Sequence, residues 1–146
     1  MAQGGYLATI TSAEENAFVY GLASANPSFW RLMLWGGDYA LGPWLGGVQP
    51  PGSTEPAGGW QWVTGEAWSY TDWQPATGEP NNQGDEDRLH LYRINGVIGW
   101  NDVSGSYSAA PPAYILEVGP VPEPSSLFLV LVGALLFGAR LSRRRA

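Results

Sequence analysis

The 146-residue chain has no cysteine and one histidine, His90, and all seven of its basic residues are arginines. Without thiols, disulfides, zinc-thiolate sites, thiol nucleophiles and thiol redox chemistry are excluded. A Ser-His-Asp arrangement would have to run through His90, and no nucleophile-elbow pattern accompanies it. Positive charge is also badly spread. Arg140, Arg143, Arg144 and Arg145 crowd the C-terminus, so residues 1–121 set twelve carboxylates against Arg31, Arg88 and Arg93 alone. Phosphate recognition needs clustered Lys or Arg, which argues against nucleic acid as a partner. An acidic body suits a cation better. Twenty glycines, twelve prolines and eight tryptophans on short apolar runs point to one loop-rich domain of low helix content, with aromatics supplying much of the buried area.

The C-terminus reads as a separate object. Leu127 to Ala139 is an unbroken run of thirteen apolar or glycine residues, closed by the arginine cluster. Ser125 to Leu141 is seventeen residues, the short end of what spans a bilayer at about 1.5 Å of rise per residue. The reading is a transmembrane helix over 125–141, with the arginines cytoplasmic. Pro122, Glu123 and Pro124 stand just before it. Pro-Glu-Pro, a short hydrophobic helix and a terminal basic cluster together resemble the PEP-CTERM sorting signal of Gram-negative, exopolysaccharide-producing bacteria. That resemblance implies recognition and removal by an exosortase, and export to the cell surface or extracellular matrix. Residues 120–146 are then an address, and residues 1–119 the domain. The first residues of the chain show no signal-peptide pattern, which suggests a start set too late.

Within the domain, Tyr6 to Ile10 reads as a strand. Thr11 with Glu14, or Ser12 with Glu15, then offers a capping box for a helix over 13–25, with Ala17, Phe18, Gly21 and Leu22 inward. These two glutamates thus have a structural explanation. Short strand candidates follow: Pro43 to Val48, a run alternating Trp60 and Trp62 before a turn at Thr64 to Glu66, Arg88 to Ile94, and Gly99 to Val103. Ala113 to Val118 is apolar enough for a central strand. His90 is expected on the polar face of its strand. The segment from Ser28 to Gly42 carries no decisive pattern. One helix, a long irregular middle and several short strands make an α+β domain.

The chemistry concentrates between Glu79 and Asp87, where Glu79, Asn81, Asn82, Asp85, Glu86 and Asp87 supply only hard oxygen donors. Asn101 and Asp102 follow about fifteen residues later. Calcium prefers such carboxylates and amide carbonyls, and a divalent cation would offset their mutual repulsion. From composition alone, a solvated acidic loop explains the run as well. The order of the residues adds to this. "GEPNNQGDED" followed by "GWNDV", after "WLGG" and "WQWVTGE" and with "LATITSAEENAF" upstream, resembles the calcium-dependent, sugar-binding C-type lectin domain over roughly residues 4–118.

The resemblance implies a C-type lectin-like fold of short antiparallel strands with a long loop region. It assigns Glu79, Asn81, Glu86, Asn101 and Asp102 as ligands of a calcium ion, with the same side chains bonding two vicinal sugar hydroxyls of mannose or glucose type. It also implies a cis Glu79-Pro80 peptide. A second cation would use Asn82, Glu86 and Asp87, but its upstream ligands are not clear beyond Glu55. Asp85 is expected at the surface. Arg88 and Leu116 stand where relatives carry cysteine, so packing must replace disulfides. The family's first strand and first helix are missing before Gly4, which leaves the last strand without its expected partner. The expected function is therefore non-enzymatic glycan or exopolysaccharide binding. The alternative is a calcium-stabilised structural or protein-binding module.

Overall fold

The computed structural model describes residues 4–34, 37–107 and 111–119. The Pro-Glu-Pro motif, the apolar run and the arginine cluster lie outside the described residues. Among the described residues, no helix is long and apolar enough to cross a membrane.

The described chain is α+β, with one α-helix and mostly antiparallel strands. Helix α1 (Ala13–Ser24) starts where the capping signal places it: the Ser12 hydroxyl accepts from the Glu15 N–H. The Glu15 carboxylate reaches back one residue further than a capping box requires, to the N–H and hydroxyl of Thr11. Its buried face is not the expected one. Asn16, Val19 and Ala23 point inward, while Phe18 is 73% exposed. Asn16 decides the rotation. Its carbonyl accepts from the buried Trp100 indole N–H and its amide donates to Asp72, two bonds that a buried Phe18 could not replace. Tyr20, one turn on, donates to the same Asp72 carboxylate.

The main sheet runs β2 (Arg31–Met33), β3 (Tyr39–Val48), β5 (Arg88–Ile94) and β6 (Val97–Val103), with β4 (Gln61–Trp62) on the far end of β3. All its pairings are antiparallel. Strands β5 and β6 form a hairpin over Asn95 and Gly96, both at positive φ, the two-residue turn that matches strand twist. Ala113 to Val118 does not form one continuous strand. Leu116–Glu117 (β7) pairs with Tyr6–Leu7 (β1), while Tyr114 makes an isolated parallel bridge to Trp44 and the buried Ile115 bonds to the backbone of both Trp44 and Ala8; Leu116 and Val118 stay exposed. The last strand therefore has a partner in β1.

Residues Leu89 to Tyr92 are all buried, because β5 is covered on both faces. His90 accordingly is not on a polar face but fully enclosed, edge-on to Trp44. The principal core gathers Ile10, Val19, Leu45, Leu89, Leu91 and Ile115 around Trp60, Trp62 and Trp100, with Trp68, Tyr70 and Trp73 packed against it. Trp62 and Trp68 centroids lie 4.5 Å apart, and Trp100 meets Trp62, Trp68, Tyr70 and Trp73 edge-on. Packed indoles thus supply much of the buried volume of this core.

Candidate functional site

A strand-like segment carries the chain into the acidic loop. The Trp100 N–H donates to the Asp72 carbonyl, and the Gln74 N–H to the Trp100 carbonyl, laying residues 72–74 alongside β6. Gly99 permits this approach, since a Cβ there would sit 2.6 Å from the Gln74 Cα. The Gln74 side chain is fully buried and donates to the Val97 carbonyl. From this anchor the chain turns back, with the Glu79 N–H on the Gln74 carbonyl, and the Glu79-Pro80 peptide is cis.

Asp102 is the second anchor. Fully buried on β6, it accepts from the backbone N–H of Asn81 at 3.1 Å and of Asn82 at 2.7 Å. A carboxylate acceptor gives strong, short hydrogen bonds, so the loop is held where its Asn81 and Asn82 amides meet Asp102. The loop then closes on itself. The Gln83 N–H donates to Asn81 Oδ1 and Glu86 Oε2, and the Glu86 N–H to Asn82 Oδ1. Positive φ at Asn82, Gly84 and Asp85 makes the tight turn. Asp85 is exposed.

The result is a cleft of about 680 Å³ lined by Glu79, Asn81, Glu86 and Asn101, four of the five residues assigned from sequence. Asp102 stands behind them. Thr77, Gln83, Tyr39 and Tyr107 also line the cleft; Thr77 and Gln83 come from the acidic loop itself, whereas Tyr39 and Tyr107 come from β3 and a separate loop that no motif marks. Asn101 donates to His90 Nε2 at 3.1 Å and to the Asp102 carbonyl. Burial pushes the His90 pKa down to about 4, so the ring stays neutral and accepts from Asn101. Of the set assigned to a second cation, Asn82 Oδ1 accepts from the Glu86 N–H and Asp87 pairs with Arg88 at 2.7 Å. Glu55 lies apart, in a turn before a cis proline.

Negative charge in the cleft is uncompensated, for no arginine lines it. Burial, then the Asp102 and Glu86 carboxylates, push the Glu79 pKa up to about 8 against an opposing Thr77 hydrogen bond. Burial, with Asp102 adding, pushes Glu86 up to about 7 against the Gln83 N–H. Glu79 Oε2 is buried with no hydrogen-bond partner. Among the described residues no three imidazole or carboxylate side chains are gathered into a ready cation cage. The donor set does fit a hard cation in another way. Glu79 and Glu86 face the cleft beside two amides, and one carboxylate oxygen has an unspent lone pair.

A pH dependence follows. Both glutamates have folded pKa values above their unfolded ones, so the stability they lend is full below about pH 4.5 and is lost as pH rises through 7 to 8. His90 acts oppositely, but only below its unfolded pKa of 6.5. In chelator, the melting temperature should fall between pH 6.5 and 8.5 by roughly 5 °C, about 1 kcal/mol for such a domain after solvent screening of half-exposed groups. Tryptophan fluorescence melts at fixed ionic strength check this. A flat or rising profile would contradict the charged cleft described above.

Comparison with known proteins agrees with this architecture. A family model described as the PEP-CTERM protein-sorting motif matches residues 120–145. A "Perlucin-like protein" of Mytilus galloprovincialis is 31% identical over 102 residues, 68% of this chain and 54% of its own length. An "Alpha-N-acetylgalactosamine-specific lectin" of Patiria pectinifera is 31% identical over 107 residues, 73% of this chain and 55% of its own. The chain belongs with the C-type lectins and carries a PEP-CTERM sorting motif. This lectin-like chain spans about half the length of the curated relatives it matches. The matches agree with a non-enzymatic chain, and the lectin-like cleft is built on the two tripeptides that carry the family resemblance, Glu79-Pro80-Asn81 and Trp100-Asn101-Asp102.

Proposed function

We propose that the chain binds carbohydrate through a calcium ion held in the cleft by Glu79, Asn81, Glu86, Asn101 and Asp102, and that an exosortase system sorts it to the cell surface or exopolysaccharide matrix. The observation that carries the reading is the pair of uncompensated glutamates beside two amides, with Glu79 Oε2 buried and unpartnered. Calcium would supply positive charge to this cleft and coordinate two vicinal hydroxyls. The chain's own residues orient the sugar. Glu79 and Glu86 only accept hydrogen bonds from the hydroxyls, and the Asn81 amide can donate to them, whereas Asn101, whose Nδ2 is spent on His90 and the Asp102 carbonyl, offers its Oδ1. Asp102 holds the Asn81 backbone in place from behind. Before processing, the apolar run over 125–141 would anchor the precursor in the membrane.

The Glu-Pro-Asn order favours mannose- or glucose-type hydroxyl pairs, whereas the name of the Patiria relative points to N-acetylgalactosamine. A second reading keeps the cation and drops the sugar. The commitment of Asp102 to the Asn81 and Asn82 amides favours it, since a cation there would brace the loop whether or not a glycan arrives.

The full chain, kept in a detergent without a sugar headgroup, should stay on mannose resin in calcium and elute with chelator. Retention on N-acetylgalactosamine resin instead would reassign the sugar. A calcium-dependent rise in melting temperature without retention on any glycan selects the bracing role, and no calcium effect at all rejects both.

A further inference from the structure

The cleft is larger and less polar than a hydroxyl pair requires. Its 680 Å³ falls in the range that holds drug-sized ligands, and a coordinated diol occupies only one edge of one sugar ring. Beyond Glu79 and Asn101 the lining changes to Tyr39, Leu41, Tyr92, Val103 and Tyr107. Apart from Val103, these residues belong to a small apolar cluster of Leu41, Tyr92 and Ile94, flanked by Met33, Tyr39 and Tyr107 and separate from the tryptophan core. Strand register builds it. Leu41 on β3 lies directly opposite Tyr92 on β5, and Tyr39, two residues earlier and so on the same face as Leu41, lies opposite Ile94.

The cluster is not sealed like a core. Leu41 and Tyr92 are buried and form the floor, but Tyr39 and Tyr107 remain partly exposed at the cleft wall. The Tyr39 and Tyr92 rings are 6.4 Å apart and tilted by 40°, so they leave a concave aromatic surface rather than a closed stack. Tyr92 joins the two halves: it lines the same cleft as Glu79, its ring packs beside Tyr39, and Tyr107 packs against the cluster it belongs to. A pyranose has one face of C–H groups that pack on an aromatic ring, and its hydroxyls lie around the rim.

Resting on the sugar-binding reading above, we propose that Tyr39 and Tyr107, over the Leu41–Tyr92 floor, form a second subsite. It takes the pyranose next to the coordinated one by contact with its C–H face. The protein then recognises a chain of at least two sugars, as an exopolysaccharide presents, in preference to a lone terminal unit.

The test uses the full chain in calcium and a detergent without a sugar headgroup, with methyl α-mannoside and α-linked mannobiose competing for mannose resin. The disaccharide should compete about tenfold better, the size of one good aromatic contact. Tyr39→Ala and Tyr107→Ala should each collapse that ratio towards one. Tyr39→Phe and Tyr107→Phe, which keep the ring, should retain it, as should Phe18→Ser on the exposed face of α1, outside the cleft lining. A wild-type ratio near one, with the monosaccharide still competing in a calcium-dependent way, overturns the second subsite and leaves the coordination site standing. Alanine variants that keep the full ratio overturn it as well. Wild-type protein that neither sugar displaces, and that no resin retains, overturns both.

Discussion

Replacing Asp102 with alanine is expected to abolish calcium-dependent retention on glycan resin and to lower the melting temperature even in chelator. The second half of the result is the informative one. A residue that acted only as a cation ligand would cost nothing in chelator. Asp102, however, is fully buried and accepts from the Asn81 and Asn82 backbone N–H groups. Alanine leaves these donors without their acceptor, and hydrogen bonds to a charged group are worth about 1.5–3 kcal/mol each. Asp102→Asn separates the two roles. It keeps one carbonyl acceptor for the loop but not the charge, so it should recover part of the thermal stability and none of the retention. Melts by circular dichroism, run with and without calcium, give both numbers. If Asp102→Ala melts like wild type in chelator, the loop is not anchored there.

Trp100→Ala is expected to be the most destabilising single change, costing about 3–5 kcal/mol as large aromatic-to-alanine changes in cores do. Trp100 is completely buried and touches four aromatic rings edge-on. Its indole N–H satisfies Asn16, and its departure would leave that carbonyl buried without a donor. Trp100→Phe fills most of the space but cannot donate, so it should fall between. Urea unfolding by far-ultraviolet circular dichroism measures this. An alanine variant within about 1 kcal/mol of wild type would mean that the aromatic cluster collapses to refill the space.

These expectations rest on features of uneven visibility in the sequence. The start of α1 was legible because capping is local: Ser12 needs only its own next turn. The face of α1 was not. Phe18 and Leu22 outweigh Asn16 on any hydrophobic count, yet Asn16 turns inward because Trp100, far along the chain, needs an acceptor. His90 was assigned to a polar face on the alternation of Arg88 to Ile94, a rule that fails when both faces of a strand are covered. Ala113 to Val118 has strand composition, but composition does not record that its pairing is split between Trp44 and β1. Within the cleft, Glu79, Asn81, Glu86, Asn101 and Asp102 could be named from tripeptide order. That Asp102 stands behind the other four could not, because it depends on which backbone amides the loop turns towards it. Tyr39 and Tyr107 are joined to the cleft by register and loop path, and no local pattern records either.

The acidic loop is fixed to β6 at two places, Gln74 beside Gly99 and Trp100, and the Asn81 and Asn82 amides on Asp102. Four consecutive strand residues thus act as a template, and the stretch from Pro75 to Glu79 hangs between its ends. Heritable variation in that stretch can alter what the cleft recognises while leaving its position untouched, whereas variation in the template displaces every recognition residue together. Selection for a new ligand therefore has a short, mechanically isolated stretch of sequence on which to act.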